Sequence, residues 1–149
     1  MIVPILQGPS GELPLYVHLL GAMATFGGIA TVALVGFAAR RRPPEQSAML
    51  RRVAWWTLLF VVIPGFIALR GGAQWIQDKE FPHDAPGWTD VGFFVTEVGG
   101  VLILLPLLIT GFLAARRETV SRLGVVVPAL ATIYLAALAV ALWAMTAKP

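Results

Sequence analysis

The 149-residue chain contains no cysteine and few charged residues. Without cysteine it can form neither a disulfide bond nor a thiolate metal site, and it has no cysteine nucleophile. Only 13% of its residues are charged and 58% are hydrophobic, with a mean hydropathy of +0.80, whereas about 25% of residues are charged in ordinary soluble domains. A soluble domain of this size could not bury so much apolar surface. The composition therefore predicts an integral membrane protein, with one transmembrane domain over residues 1–149.

Regular alternation of apolar and polar residues is also missing, which argues against membrane-spanning strands. Four apolar segments are instead long enough to cross a bilayer as α-helices at about 1.5 Å per residue. We predict helices over about 13–39, 53–77, 89–115 and 122–147. No lysine or arginine precedes the first segment, so it lacks the charged start of a secretory signal peptide and should be retained. The sequence thus predicts an all-α, four-helix transmembrane bundle.

Basic residues are concentrated in two of the three predicted loops. Residues 40–52 contain five arginines and residues 116–122 contain three. The middle loop is acidic, with four carboxylates and one lysine: Asp78, Lys79, Glu80, Asp84 and Asp90. Loops rich in arginine stay in the cytoplasm. We therefore predict that both termini and the acidic loop are extracytoplasmic, in a bacterial cytoplasmic membrane.

Glu97 is an ionisable residue where an apolar helix should have none, because residues 98–115 carry no charge. An isolated charge in hydrocarbon costs several kcal/mol, so it needs a partner, a proton or water. At about 1.5 Å per residue, Arg70 lies about 27 Å along its helix from Arg52, and Glu97 about 28 Å from Arg116. Both charges fall at nearly one level on helices joined by one loop. We predict that Arg70 and Glu97 form an ion pair.

Further polar side chains collect near this pair. Gln74 lies one turn beyond Arg70 on the same helical face. In the first helix, His18 shares a face with small residues, namely Gly21, Thr25, Gly28 and Gly36. Small residues let neighbouring helices approach closely, so His18 should point into the bundle. We predict that His18, Arg70, Gln74 and Glu97 line a polar pocket open to the outside, and we expect little comparable in the cytoplasmic half.

Two interpretations of this cluster are open. In the first, the ion pair clamps two helices and His18 is hydrogen-bonded beside it. In the second, the cluster binds a small ligand, a metal ion or a cofactor, since ionisable groups within a membrane commonly mark a functional site. Haem needs an axial ligand, commonly histidine, and His18, Glu97 and His83 are suitable ligand types for zinc or copper. The sequence identifies neither a metal nor a cofactor.

Other chemistries find no support in the sequence. Ser10, Ser47 and Ser121 lie in loops or at helix ends, far from His18, so no arrangement for nucleophilic catalysis is present. Glycine-rich nucleotide motifs are absent, and no basic face interleaved with aromatic residues indicates nucleic-acid binding. Whether the chain is an enzyme stays undecided.

The run Leu15–Ala22, which reads LYVHLLGA, and the following Gly27–Gly28 pair resemble the first helix of a group of small bacterial membrane proteins. These are the copper-resistance D-like and HemJ-like families, which place a histidine and then a glycine pair in an early helix. The resemblance covers residues 15–28. It implies a haem or copper role for His18 on the extracytoplasmic side.

The leading functional prediction is a small polytopic membrane protein that is not an enzyme and acts as a ligand-binding or accessory subunit. Its partners would be the lipid bilayer and either further copies of the chain or another membrane subunit. Two alternatives are a haem- or quinone-linked membrane oxidoreductase and a small transporter. A transporter would need a polar path to the cytoplasmic face, which the sequence does not indicate.

Overall fold

The computed structural model of the chain describes residues 12–80, 83, 87–117 and 122–147. Regular structure in these residues is entirely helical, and four helices are long and apolar enough to cross a membrane. They are α1 (Leu13–Ala39), α2 (Pro44–Glu80), α3 (87–116) and α4 (Leu123–Ala147). The prediction of an all-α protein with four membrane-length helices is confirmed. The orientation in the membrane stays a prediction, and Asp84 of the acidic loop lies outside the described residues.

The bundle has two chemically different ends. The acidic end comprises the start of α1, the facing parts of α2 and α3 around residues 70–97, and the end of α4. The arginine end comprises residues 40–52, the end of α3 at Arg116 and Arg117, and the start of α4. These two names are used below without reference to either side of a membrane.

The second helix begins at Pro44, well before the apolar segment that the sequence analysis placed from residue 53. Its first part, Pro44–Thr57, is amphipathic and buries Ser47, Arg51 and Ala54 on one face, at the spacing of a helical stripe. Pro44 occupies the first turn, where its missing N–H costs no hydrogen bond. The complete α2 has 37 residues, about 55 Å at 1.5 Å per residue, so it is longer than the hydrocarbon core of a bilayer is thick.

Each of the two middle helices contains a π-helical turn just before a proline. These turns are Leu58–Val62 in α2, ahead of Pro64, and Gly100–Leu104 in α3, ahead of Pro106. Proline lacks an N–H, and its ring crowds the carbonyl four residues earlier. The wider turn therefore accommodates the proline without ending the helix.

Helices α1 and α2 approach each other closely at the acidic end because glycines face each other there. A Cβ atom on Gly72 would lie 2.7 Å from the backbone nitrogen of His18, and one on Gly21 would overlap the backbone nitrogen of Leu69. Only a residue without a side chain fits such a contact. Along the same face, Thr25 and Gly28 are also buried. From His18 to Gly28, the small-residue face that the sequence indicates on α1 is therefore the contact with α2, whereas Gly36 of the same face packs on Pro128 of α4.

The apolar core fills the middle of the bundle. Its fully buried members come from all four helices and include Ile29, Val32, Leu58, Val62, Leu107, Ala131 and Tyr134. Toward the acidic end the second and third helices separate. The part of α2 from Ile63 to Glu80 packs mainly on α1, and the Gly87–Gly99 part of α3 packs on α4. We call the space between these two parts the groove.

Candidate functional site

Four polar residues form a connected row along this groove. The Nη2 atom of Arg70 donates to Oε1 of Glu97 at 2.5 Å, and its Nη1 atom donates to Oε1 of Gln74 at 3.1 Å. Gln74 Nε2 in turn donates to Oδ1 of Asp78 at 2.9 Å. Arg70, Gln74 and Asp78 lie on one face because they are four residues apart on α2. We call Arg70, Gln74, Asp78 and Glu97 the polar strip.

The polar strip lies on the surface of the bundle. The Glu97 side chain is 58% exposed and that of Arg70 is 28% exposed. The guanidinium carbon of Arg70 lies 4.6 Å from the ring centroid of Phe93, so an aromatic face covers part of the cation. Among the described residues, no group donates a hydrogen bond to the second carboxylate oxygen of Glu97. The strip thus presents an accessible acceptor beside a neutralised arginine.

His18 occupies a different position from the other three predicted site residues. It is half-buried between α1 and α2, and its Nδ1 atom lies 2.9 Å from the carbonyl oxygen of Leu69. A carbonyl can only accept, so Nδ1 carries a proton. In the part of the chain that the structure describes, His18 makes no hydrogen bond with the side chain of Arg70, Gln74 or Glu97. Hydrogen bonds thus connect three of the four predicted site residues, and His18 bonds instead at the contact between α1 and α2.

Candidate metal ligands do not converge either. Within residues 12–80, 83, 87–117 and 122–147, no three histidine, aspartate or glutamate side chains come close enough to hold one metal ion. His83 is exposed between α2 and α3. The set of His18, Glu97 and His83 considered from the sequence is thus not assembled in this structure.

The arginine end contains a buried cation that the sequence analysis missed. Arg51 is only 9% exposed. Its Nε atom donates to the Ala114 carbonyl at 3.1 Å, Nη1 to the Ser47 hydroxyl at 2.7 Å, and Nη2 to the Arg117 carbonyl at 2.9 Å. The last carbonyls of a helix have no intrahelical partner, and Arg51 satisfies two of them at the end of α3. The expectation that this half of the bundle holds no comparable polar group is therefore wrong.

One sequence feature could have indicated this site. Ser47, Arg51 and Ala54 follow the helical spacing that places them on one face of an amphipathic turn. The arginines of residues 40–52 were interpreted only as a topology signal, because charge counts do not distinguish a buried arginine from its exposed neighbours. In the structure, Arg40 and Arg52 are exposed while Arg51 is buried.

A partly open cavity of about 20 Å³ lies beside Arg51. Its polar lining comes from Arg40, Ser47 and Arg51, and the rest of the lining consists mainly of small residues from all four helices: Gly36, Ala39, Ala54, Gly111, Ala114, Gly124, Val127 and Pro128. A space of this size admits one water-sized group. Arg40 at its edge is exposed, so the cavity has a polar side that reaches the surface.

Two buried hydroxyl groups have no hydrogen-bond partner among the described residues. They are Thr25 Oγ1, in the α1–α2 contact, and the phenol oxygen of Tyr134, in the central core. A buried hydroxyl without a partner loses its hydrogen bond to water and destabilises the fold. At both positions a polar hydroxyl is therefore enclosed by side chains that offer it no hydrogen bond.

Comparisons with protein-family models, with curated proteins and with solved structures each return no match. The resemblance of residues 15–28 to the copper-resistance D-like and HemJ-like families therefore stays a prediction. Function has to be argued from the two ends of the bundle themselves.

Proposed function

We propose that this multi-pass membrane protein acts without a catalytic centre of its own, as an accessory or ligand-binding subunit whose polar strip contacts a polar partner group. We further propose that it lies in a bacterial cytoplasmic membrane with the acidic end outside. The four membrane-length helices support a multi-pass membrane protein, and the accessory or ligand-binding role rests on the polar strip. The arginines of residues 40–52 and 116–122 support the orientation through the positive-inside rule.

The observation that carries the proposal is the contrast between the two sides of the acidic end. On α1, the side chains that face outward near His18 are apolar, including Leu15, Tyr16 and Leu19. On α4, Val140, Leu142 and Trp143 are likewise exposed. These two helices suit contact with lipid there. Helices α2 and α3 also expose apolar side chains, including Trp75 and Phe94, but they expose the polar strip among them. We infer that these ionisable groups mark a specific polar contact on that side.

Glu97 strengthens this argument. Its carboxylate is more than half exposed and has one oxygen free among the described contacts. In hydrocarbon such an oxygen would be very unfavourable, so lipid tails cannot be the group that covers it. Water, a lipid headgroup, a polar ligand or a partner subunit can donate a hydrogen bond to it, and we assign this role to a partner subunit or a polar ligand.

Site-specific photo-crosslinking tests the proposal in intact membranes. A photoreactive amino acid in place of Gln74, in the polar strip, should give a discrete adduct with a protein or a polar ligand. The same amino acid in place of Met23, which is 74% exposed on α1, serves as the matched control and should give lipid adducts only. If Gln74 also reacts with lipid alone, the strip has no polar partner and the proposed function is wrong.

The orientation can be tested separately because the chain has no cysteine. His83→Cys and Gln46→Cys place single thiols at exposed positions of the two ends. A membrane-impermeant maleimide added to intact cells should label the first variant and leave the second unlabelled until the membrane is opened. The reverse pattern would place the arginine end outside.

A second candidate function, binding of haem, is favoured by one observation. The Nδ1 atom of His18 donates to a backbone carbonyl, and metal-ligating histidines commonly make this bond with the nitrogen that does not bind the metal. His18 would then offer Nε2 as an axial ligand. A Soret band in the purified protein that is lost in His18→Ala would support this function, and a colourless protein would exclude it.

A further inference from the structure

We propose that the arginine end binds a phosphate group at the cavity between Arg51 and Arg40. The group belongs either to an anionic lipid headgroup or to a free phosphate ion. This site is separate from the polar strip and does not depend on the function proposed above.

Arg51 is a buried cation that has no ion pair among the described residues. Its three hydrogen-bond acceptors are two carbonyls and a hydroxyl, all of them neutral. Among the described residues, the one ion pair between side chains is that of Arg70 and Glu97, at the other end of the bundle. The carbonyl end of α3 supplies only about half a negative charge. A buried cation therefore stays largely uncompensated, which is unfavourable unless an anion completes the site.

Arg51 has N–H donors that its described hydrogen bonds do not use. A guanidinium has five N–H donors, and the described contacts of Arg51 use three. The cavity also touches Gly124, the second residue of α4, where the first N–H groups of the helix have no intrahelical acceptor. Arg51 and the start of α4 therefore both lie next to this mostly apolar space.

The size of the cavity limits which group can enter it. The cavity of about 20 Å³ holds one oxygen-sized group. One phosphate oxygen can enter it and meet Arg51, while the remaining oxygens stay at the edge beside the exposed Arg40. A whole phosphate ion would not fit inside, so the geometry suits a phosphate held by one inserted oxygen, with its remaining atoms outside.

The arginine end carries an excess of positive charge. Residues 40–52 and 116–122 contain eight arginines and two glutamates, Glu45 and Glu118. Such an excess attracts groups with net negative charge, including anionic lipids at the cytoplasmic surface. Phosphatidylglycerol should therefore be preferred to phosphatidylcholine, whose choline cancels the phosphate charge.

Native mass spectrometry of the full-length protein, with each lipid or inorganic phosphate added in turn, tests the site. We expect retention of phosphatidylglycerol over phosphatidylcholine. Arg40→Gln removes a lining residue and should weaken retention about thirtyfold, the usual loss of a charge-assisted hydrogen bond. Arg52→Gln removes the same charge from an exposed position outside the cavity and should weaken it about fivefold at most. Equal losses in the two variants would indicate diffuse attraction and overturn the proposal.

A second pair of variants tests the cavity without changing any charge. A Cβ atom at Gly124 or at Gly27 would meet no atom within 4 Å, but only Gly124 lines the cavity. Gly124→Leu should therefore block binding while Gly27→Leu retains it, and neither variant should lower the melting temperature, because leucine favours helix more than glycine does. Unimpaired binding by Gly124→Leu would refute the cavity as the site. Binding of inorganic phosphate alone would identify the free ion as the ligand, and failure of both probes to bind the unmodified protein would refute the proposal.

Discussion

The two ends of the bundle use an arginine of α2 to reach α3 in opposite ways. At the acidic end, Arg70 meets a carboxylate on the surface of a groove, and both side chains are partly exposed. At the arginine end, Arg51 is buried and meets only neutral oxygens, two of which belong to the end of α3. The first contact pairs opposite charges, whereas the second satisfies the unpaired backbone of a helix terminus.

This difference explains how the helices are held at each end. Around Arg51 the start of α2 packs against the Leu105–Arg116 part of α3, so the guanidinium reinforces an existing contact. Around Arg70 the two helices separate, and the ion pair crosses a groove between them. We therefore expect Arg51 to contribute more to stability than Arg70 does. The α2–α3 side of the acidic end, unlike its tight α1–α2 contact, should tolerate change and is the better place for binding a protein partner.

The largest expected effect is that of removing Arg51. Arg51→Met keeps much of the volume but removes the donor to the Arg117 carbonyl and one of the two donors to the Ala114 carbonyl, the other being the Arg117 backbone N–H. This should cost about 3 kcal/mol of unfolding free energy. Arg52→Met is the matched control, because Arg52 is exposed, and it should change stability by less than about 0.5 kcal/mol. The unfolding free energies of the two variants can be measured in mixed micelles. Similar losses in the two variants would mean that the buried hydrogen bonds contribute little.

A slightly smaller loss of unfolding free energy is expected from overpacking the contact between α1 and α2 at the acidic end. Gly72→Ala places a Cβ atom 2.7 Å from the His18 backbone nitrogen, and such overpacking costs about 1–3 kcal/mol. Gly71→Ala is the neighbouring control, since its Cβ would meet nothing within 4 Å. The control should gain up to about 1 kcal/mol, because alanine favours helix more than glycine does. Thermal unfolding of both variants would decide, and equal stabilities would show that this helix contact is loose.

The fold was predictable from the sequence to a greater extent than the site. A helix makes all backbone hydrogen bonds within one segment, as lipid surroundings require. Four long apolar segments therefore predict four helices. The meeting of Arg70 with Glu97 follows from counting residues along two neighbouring helices. The position of His18 was harder to predict. Its hydrogen-bond partner is the Leu69 carbonyl, and because every residue has a backbone carbonyl, the sequence does not indicate which one is used. The burial of Arg51 depends in the same way on carbonyls of a distant helix.

The ion pair of the acidic end should show a modest coupling free energy. Arg70→Gln and Glu97→Gln each remove one partner, and the double variant should lose about 1 kcal/mol less than the sum of the single losses. Because the pair is partly exposed, salt should reduce this coupling in detergent micelles. Additive losses would mean that the two charges do not stabilise each other. A coupling that is larger in lipid bilayers than in micelles would place the pair in a low-dielectric layer.

The smallest expected effect has the opposite sign and concerns the core between the two ends. The Tyr134 side chain is fully buried, and its phenol oxygen has no hydrogen-bond partner in the described part of the chain. Tyr134→Phe removes only that oxygen, so it should raise the unfolding free energy by about 1 kcal/mol. Tyr16→Phe, on the exposed face of α1, removes the same atom from a surface and should have no effect. Destabilisation by Tyr134→Phe would instead reveal that the hydroxyl has a bound water or ligand as its partner, and the core would then be a third polar site between the two ends.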